Sequence, residues 1–146
     1  MITTWILVAN ASNARLYANH GAKKGMQLVK ELFHPESREK ASNLVADRPG
    51  HNAGAGNGHG SFVPASDPKH NEAERFAQQL ARELDHGRTA NIYQRAILVA
   101  APAFMGLLKG NLDSQVSRLV SESVEKDYTK ATEKELAGHL ENLIFL

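Results

Sequence analysis

The spacing of apolar residues changes several times along this chain, and each change marks an element. Trp5 to Ala9 is an unbroken apolar run, and Asn10-Ala-Ser-Asn13 is a turn-rich cluster. Ala14-Arg-Leu-Tyr-Ala18 then alternates as a half-buried strand does, so a hairpin is predicted. A second turn from His20 to Gly25 leads into Met26 to Phe33, where Met26, Leu28 and Leu32 fall on one face with a slip at Val29. This predicts a third antiparallel strand with a bulge near Val29, ended by His34-Pro35.

Residues 36–48 are polar, with Leu44 and Val45 the only large apolar side chains, and offer at most a weak helical turn or two. Gly50 to Gly60 holds five glycines in eleven residues and no large apolar side chain, which predicts a mobile surface loop over about 50–62. Asp67 is suited to cap a helix with Pro68 in its first turn. Ala73, Phe76, Ala77, Leu80, Ala81 and Leu84 then recur at helical spacing until Gly87. The opposite face, with Glu72, Arg75, Gln79, Glu83 and His86, reads as solvated.

After Ile92 and Tyr93, Ala96 to Ala101 is a second unbroken apolar run, expected to be a strand covered on both faces. Pro102 stops it and opens a helix carrying Phe104, Leu107 and Leu108. The small residues Ala100, Ala101, Ala103 and Gly106 are explained by close packing of that helix on the sheet. Leu112, Val116, Leu119 and Val120 predict a further helical piece capped by Asn111 or Asp113, then a short strand from Val120 to Glu125. Asp127 to Lys130 is a turn, Thr132 with Glu135 a capping box, and Leu136, Leu140, Leu143 and Ile144 a last apolar stripe. The order implies an α/β fold in one domain over 1–146: a single mixed sheet of about five strands, its N-terminal strands joined by antiparallel hairpins, with helices packed on its faces.

Composition narrows the chemistry. Hydrophobic residues make up 42% of the 146-residue chain, enough for a core, and a formal charge of +1 confines any basic patch to a local surface. With no cysteine there is no disulfide, thiolate metal site or Cys nucleophile, and the cytoplasm is the default expectation. The apolar N-terminus lacks a basic n-region and is too short to span a bilayer, so no membrane insertion is expected.

The carboxyl end of the Ala96–Ala101 strand is the first place to look for a ligand, but Ala96 to Leu108 contains no acid, base or nucleophile. The glycines at 54, 56, 58 and 60 alternate, so no dinucleotide or P-loop fingerprint is formed. His51, His59 and His70 with Asp67 lack the pair spacing of a zinc site, and Ser61, His59 and Asp67 lack a nucleophile elbow. Neither a metal nor a cofactor is therefore expected. The loop suits backbone entry into a crowded polar RNA cleft, with Arg48, Lys69 and Arg75 around it for phosphate contacts; with only Phe62 nearby, base stacking is poorly supported.

Four segments resemble the bacterial host attachment protein family: Trp5 to Tyr17, Asp47-Arg-Pro-Gly50, Leu98 to Leu108, and Lys126-Asp-Tyr-Thr-Lys130. More distantly, the plan of strands, glycine-rich loop and a helix with Arg75-Phe76-Ala77 is similar to the middle domain of eukaryotic and archaeal class I release factors and of Pelota. In those factors a Gly-Gly-Gln in the loop enters the peptidyl transferase centre. Here the region reads Asn57-Gly-His-Gly-Ser61, so the resemblance does not carry over peptidyl-tRNA hydrolysis.

The resemblance implies a non-catalytic cytoplasmic module that contacts the ribosome or tRNA, not DNA, through Arg48, Asn57, Gly58, His59, Gly60, Lys69 and Arg75. A homo-oligomer is compatible with it. Two alternatives stand beside it: an interaction protein that supports attachment to host cells indirectly, and a hydrolase using His59 as general base.

Overall fold

A computed structural model of the chain describes residues 2–35 and 68–146. Strands β1 (Thr4–Ala9), β2 (Asn13–Asn19) and β3 (Gln27–Phe33) come first. They are followed by helix α1 (Pro68–Thr89), β4 (Arg95–Ala100), α2 (Pro102–Asn111), α3 (Ser114–Leu119), β5 (Val120–Val124) and α4 (Glu133–Leu140). The five strands form one mixed sheet in the order β3-β2-β1-β4-β5. Antiparallel pairs join β1 to β2 and β2 to β3, and parallel pairs join β1 to β4 and β4 to β5.

The continuous apolar runs are β1 and β4, buried on both faces except for the half-buried Arg95 that opens β4. Trp5, Leu7, Ala96 and Leu98 pack against Phe76, Leu80 and Leu84 of α1 and Phe104, Met105 and Leu108 of α2. Ile6, Val8, Ile97 and Val99 point the other way, onto Leu136 and Leu140 of α4 and onto Ile144. The Thr132 capping box forms, and Asp113 caps α3 by accepting from Gln115 N at 2.7 Å. Asn111, the alternative cap, donates instead to Glu74 and to the Leu107 carbonyl.

Five details depart from the pattern read in the sequence. β2 is buried on both sides, because Tyr17 enters the α4 core while Ala14, Leu16 and Ala18 enter the other. The bulge does fall at Val29, since Leu16 opposes Lys30 and Tyr17 opposes Leu28. It flips the strand, so Leu28 and Leu32 occupy opposite faces rather than one. Glu72 is buried, not solvated. Ala103 and Gly106 are exposed, and a Cβ on Gly106 would meet nothing within 4 Å, so close packing explains only Ala100 and the partly buried Ala101 of that set.

The fifth departure is at the end of α1. The helix runs past Gly87 to Thr89 and ends where Asn91 turns to φ 56°. Gly87 is buried inside it because the Trp5 indole lies where its Cβ would be.

Candidate functional site

At the carboxyl ends of β1, β4 and β5 the chain gathers its polar side chains. Asn10, just beyond β1, accepts through Oδ1 from Ser12 N at 2.9 Å and Asn13 N at 2.8 Å, which closes the turn into β2. Its Nδ2 donates to Asp127 Oδ2 at 3.0 Å and to Thr129 Oγ1 at 3.1 Å, tying that turn to the segment after β5. Burial pushes the Asp127 carboxyl up, but hydrogen bonds from Thr129 and Asn10, together with Lys130, outweigh it and hold the group below the usual carboxylate range.

Arg15 donates through Nη2 to the carbonyls of Tyr128, Thr129 and Ala131, at 3.2, 2.5 and 2.7 Å. Two of the sequence segments noted above, more than a hundred residues apart, are thus one hydrogen-bonded unit. The Asp127 carboxylate, the Asn10 amide and the Thr129 hydroxyl are engaged with one another, and Arg15 with backbone carbonyls, so the work of the unit is to fix the edge and the start of α4.

On the same edge, β3 ends and α1 begins. His34 N donates to Ser12 O at 2.8 Å, beside the Asn10 turn. The His34 ring stacks on Phe76 with centroids 5.4 Å apart, and Phe76 meets Phe104 of α2 at 5.9 Å. His34 Nε2 lies 2.8 Å from Glu72 Oε1, and Arg75 Nη1 donates to Glu72 Oε2 at 2.6 Å. The Glu72 side chain is 7% exposed, that of Arg75 60%. A buried carboxylate costs several kcal/mol unless it is paired and hydrogen-bonded, and these two partners take both of its oxygens. His34 and Glu72 therefore clasp the two ends of the segment 36–67.

Of the residues expected to contact a partner, Lys69 and Arg75 lie in the first two turns of α1 and are exposed. Arg48, Asn57, Gly58, His59 and Gly60 lie outside the described residues, as do Asp67 and the glycine loop itself. Of the metal ligands weighed, only His70 is described, exposed on α1. Among the described residues no cluster of three His, Cys, Asp or Glu side chains could hold a metal ion. The His34–Glu72 clasp was not foreseen, because its partners stand 38 positions apart and neither carries a motif. The only available hint was a carboxylate one turn before Phe76 on an otherwise ordinary amphipathic helix.

The fold is shared with solved structures. The crystal structure of an archaeal translation termination factor, aRF1, is similar at a TM-score of 0.55 and 14% identity, covering 92% of this chain and 33% of that one. A second solved structure, described as an archaeal protein, has a TM-score of 0.53 and 15% identity, covering 97% and 34%. The chain spans about a third of the length of each, and at these identities the likeness is one of fold. No curated protein matches the chain in sequence. Residues 5–140, nearly the whole chain, match the family described as "Protein required for attachment to host cells", and the chain belongs to that family.

Proposed function

We propose that this protein is a non-catalytic cytoplasmic module that contacts the ribosome or tRNA through the glycine-rich segment around Gly50 to Ser61. The observation that carries the reading is the clasp. His34, Glu72 and Arg75 hold the two ends of the segment together at the carboxyl edge of the sheet, next to the exposed Lys69 and Arg75. A segment held at its base loses less entropy on docking, and flanking cations favour a phosphate-rich partner.

The fold shared with a termination factor supports the choice of partner, and among the described residues no helix is long and apolar enough to cross a membrane. On this reading Arg48, Asn57, Gly58, His59 and Gly60 reach the RNA, and the family's requirement in host attachment is an indirect effect. The test is co-sedimentation of purified protein with ribosomes at low and raised salt. Binding that weakens with salt and is lost on deleting residues 50–61 supports the proposal; no binding, or binding indifferent to the deletion, sinks it.

A further inference from the structure

At the amino ends of β1 and β4, the end of the sheet opposite the clasp, the face turned to α4 changes character. Tyr17, Ile6 and Ile97 form a buried apolar row across β2, β1 and β4. The next row on that face reads Asn19, Thr4 and Arg95, paired across the same three strands. Asn19 and Thr4 are each 3% exposed. With Ile2, Ile144 and Phe145 this polar row lines a cleft of about 350 Å³.

The three polar side chains differ in what they have left to offer. Asn19 is committed: its Nδ2 donates to Gly25 O at 2.7 Å and its Oδ1 accepts from Gly21 N at 3.1 Å, which holds the turn beside the cleft. Arg95 donates through Nε to Ser121 Oγ at 2.7 Å and through Nη2 to Leu143 O at 3.2 Å, and its Nη1 has no partner among the described residues. Both acceptors are neutral. No ion pair among the described residues includes Arg95, and no Asp or Glu lines the cleft. The Thr4 hydroxyl likewise has no hydrogen-bond partner among the described residues. A second cation stands beside the cleft, where Lys23 Nζ lies 5.7 Å from the Phe145 ring centroid. The remaining wall is largely apolar, with Ile2 and Phe145 both exposed.

We infer that this cleft binds a small amphipathic carboxylate, with its carboxylate on Arg95 and Thr4 and its hydrocarbon chain against Ile2, Ile144 and Phe145. A half-buried guanidinium with only neutral partners favours an anion, and its planar donors match a carboxylate. A threonine hydroxyl can donate to the same oxygens. The volume lies at the small end of ligand sites, about 300–1,000 Å³, which suits a short chain rather than a long lipid. A nucleotide is disfavoured, because the wall offers hydrocarbon where ribose and further phosphates need donors. The inference stands on residues other than those assigned to RNA contact and does not depend on that reading.

The test is isothermal titration calorimetry of the full chain with sodium octanoate, beside octanol and octylammonium at the same pH. Octanoate should bind saturably, with affinity rising about fourfold per methylene from butanoate to octanoate. Arg95→Gln should weaken octanoate about tenfold or more and leave octanol unchanged, and Thr4→Val, which keeps the shape of the side chain, should weaken octanoate severalfold. Because Arg95 also holds Ser121 and Leu143, circular dichroism accompanies each titration. Ala22→Trp, at an exposed turn position lining the cleft, fills it without altering the cation and should abolish binding in a folded chain even where Arg95→Gln does not fold. Three results each overturn the inference: no saturable binding at millimolar octanoate, octanol or octylammonium binding as tightly as octanoate, or unchanged binding in folded Arg95→Gln or Ala22→Trp.

Discussion

Gly87 lies inside α1, where a glycine ordinarily costs about 1 kcal/mol relative to alanine. Replacing it by alanine should nevertheless destabilise the protein. A Cβ built there would stand 2.4 and 2.5 Å from Cη2 and Cζ3 of Trp5 and 3.0 Å from the Tyr93 ring, where ordinary contacts begin at 3.4 Å. The indole cannot retreat cheaply: it is 5% exposed and stacked on Tyr93 at 4.4 Å, and the Tyr93 hydroxyl is held by Leu84 O at 2.6 Å. Overpacking of this kind costs about 3 kcal/mol at the upper end of its usual range, against about 1 kcal/mol gained in helix propensity. The expected net loss is about 2 kcal/mol, or about 4–8 °C in Tm for a chain of this size. Trp5 is the only tryptophan, so its fluorescence in a urea titration reports directly on the site. Gly106→Ala in α2, where nothing lies within 4 Å, is the control and should gain up to about 1 kcal/mol. If Gly87→Ala unfolds at the same or higher urea than the parent chain, the close approach of α1 to β1 is wrong. A Trp5→Leu background should remove most of the penalty, a coupling that a double-mutant cycle by circular dichroism would measure.

Asn10→Ala removes two accepted and two donated hydrogen bonds at once and should cost about 1–3 kcal/mol; an unchanged denaturation midpoint would contradict its role as a staple. Asp127 is held below the usual carboxylate range, so its stabilisation is present above that range and is lost as pH falls through the folded value. In Asn10→Ala the acid transition should therefore begin at higher pH. Burial pushes the Tyr93 phenol up to about 12, so stability is full below its ordinary value of 10.0 and falls as pH rises from there. Tyr17 is shifted in the same direction, chiefly by burial, so Tyr93→Phe should shrink the alkaline slope without abolishing it, as alkaline unfolding curves would show. Glu72→Ala removes the buried carboxylate that His34 and Arg75 share and should cost about 1–3 kcal/mol in thermal unfolding, the exposed Arg75 contributing little of that. A Tm equal to wild type would dissolve the clasp.

Much of the architecture was legible because single elements carry complete local signals. The unbroken run from Ala96 to Ala100 could only be satisfied with cover on both faces, and Thr132 with Glu135 formed the capping box that their spacing implies. Where the reading failed, a distant element decided. Gly87 looked like a helix end, but the Trp5 indole gives it another reason to be glycine. Glu72 followed the charged positions of α1, yet it is buried because His34 arrives from β3 to pair with it. Leu28 and Leu32 match in parity along β3, and one bulged residue separates them onto two faces. Around the candidate site the same division holds: the exposure of Lys69 and Arg75 follows from their charge and position on α1, whereas the clasp beneath Arg75 is a tertiary contact with no local trace.

The strand order also explains why the carboxyl end of β4 holds no chemistry, although ligands in open α/β sheets gather at such ends. From β1 the chain turns to one side, into β2, and from β4 it leaves to the other, through α2 and α3 to β5, so the gap between β1 and β4 is the switch point of the sheet. On the α1 side that gap lies beside buried Phe104 and Met105 of α2. Across its rim Asn10, Asp127 and Thr129 hydrogen-bond one another. Such a cross-linked edge, in which Arg15 Nε alone is buried without a hydrogen-bond partner among the described residues, favours rigidity over binding. On the proposed reading, contact with a partner falls to the segment whose ends His34 and Glu72 bring together, and to the exposed Lys69 and Arg75 beside it.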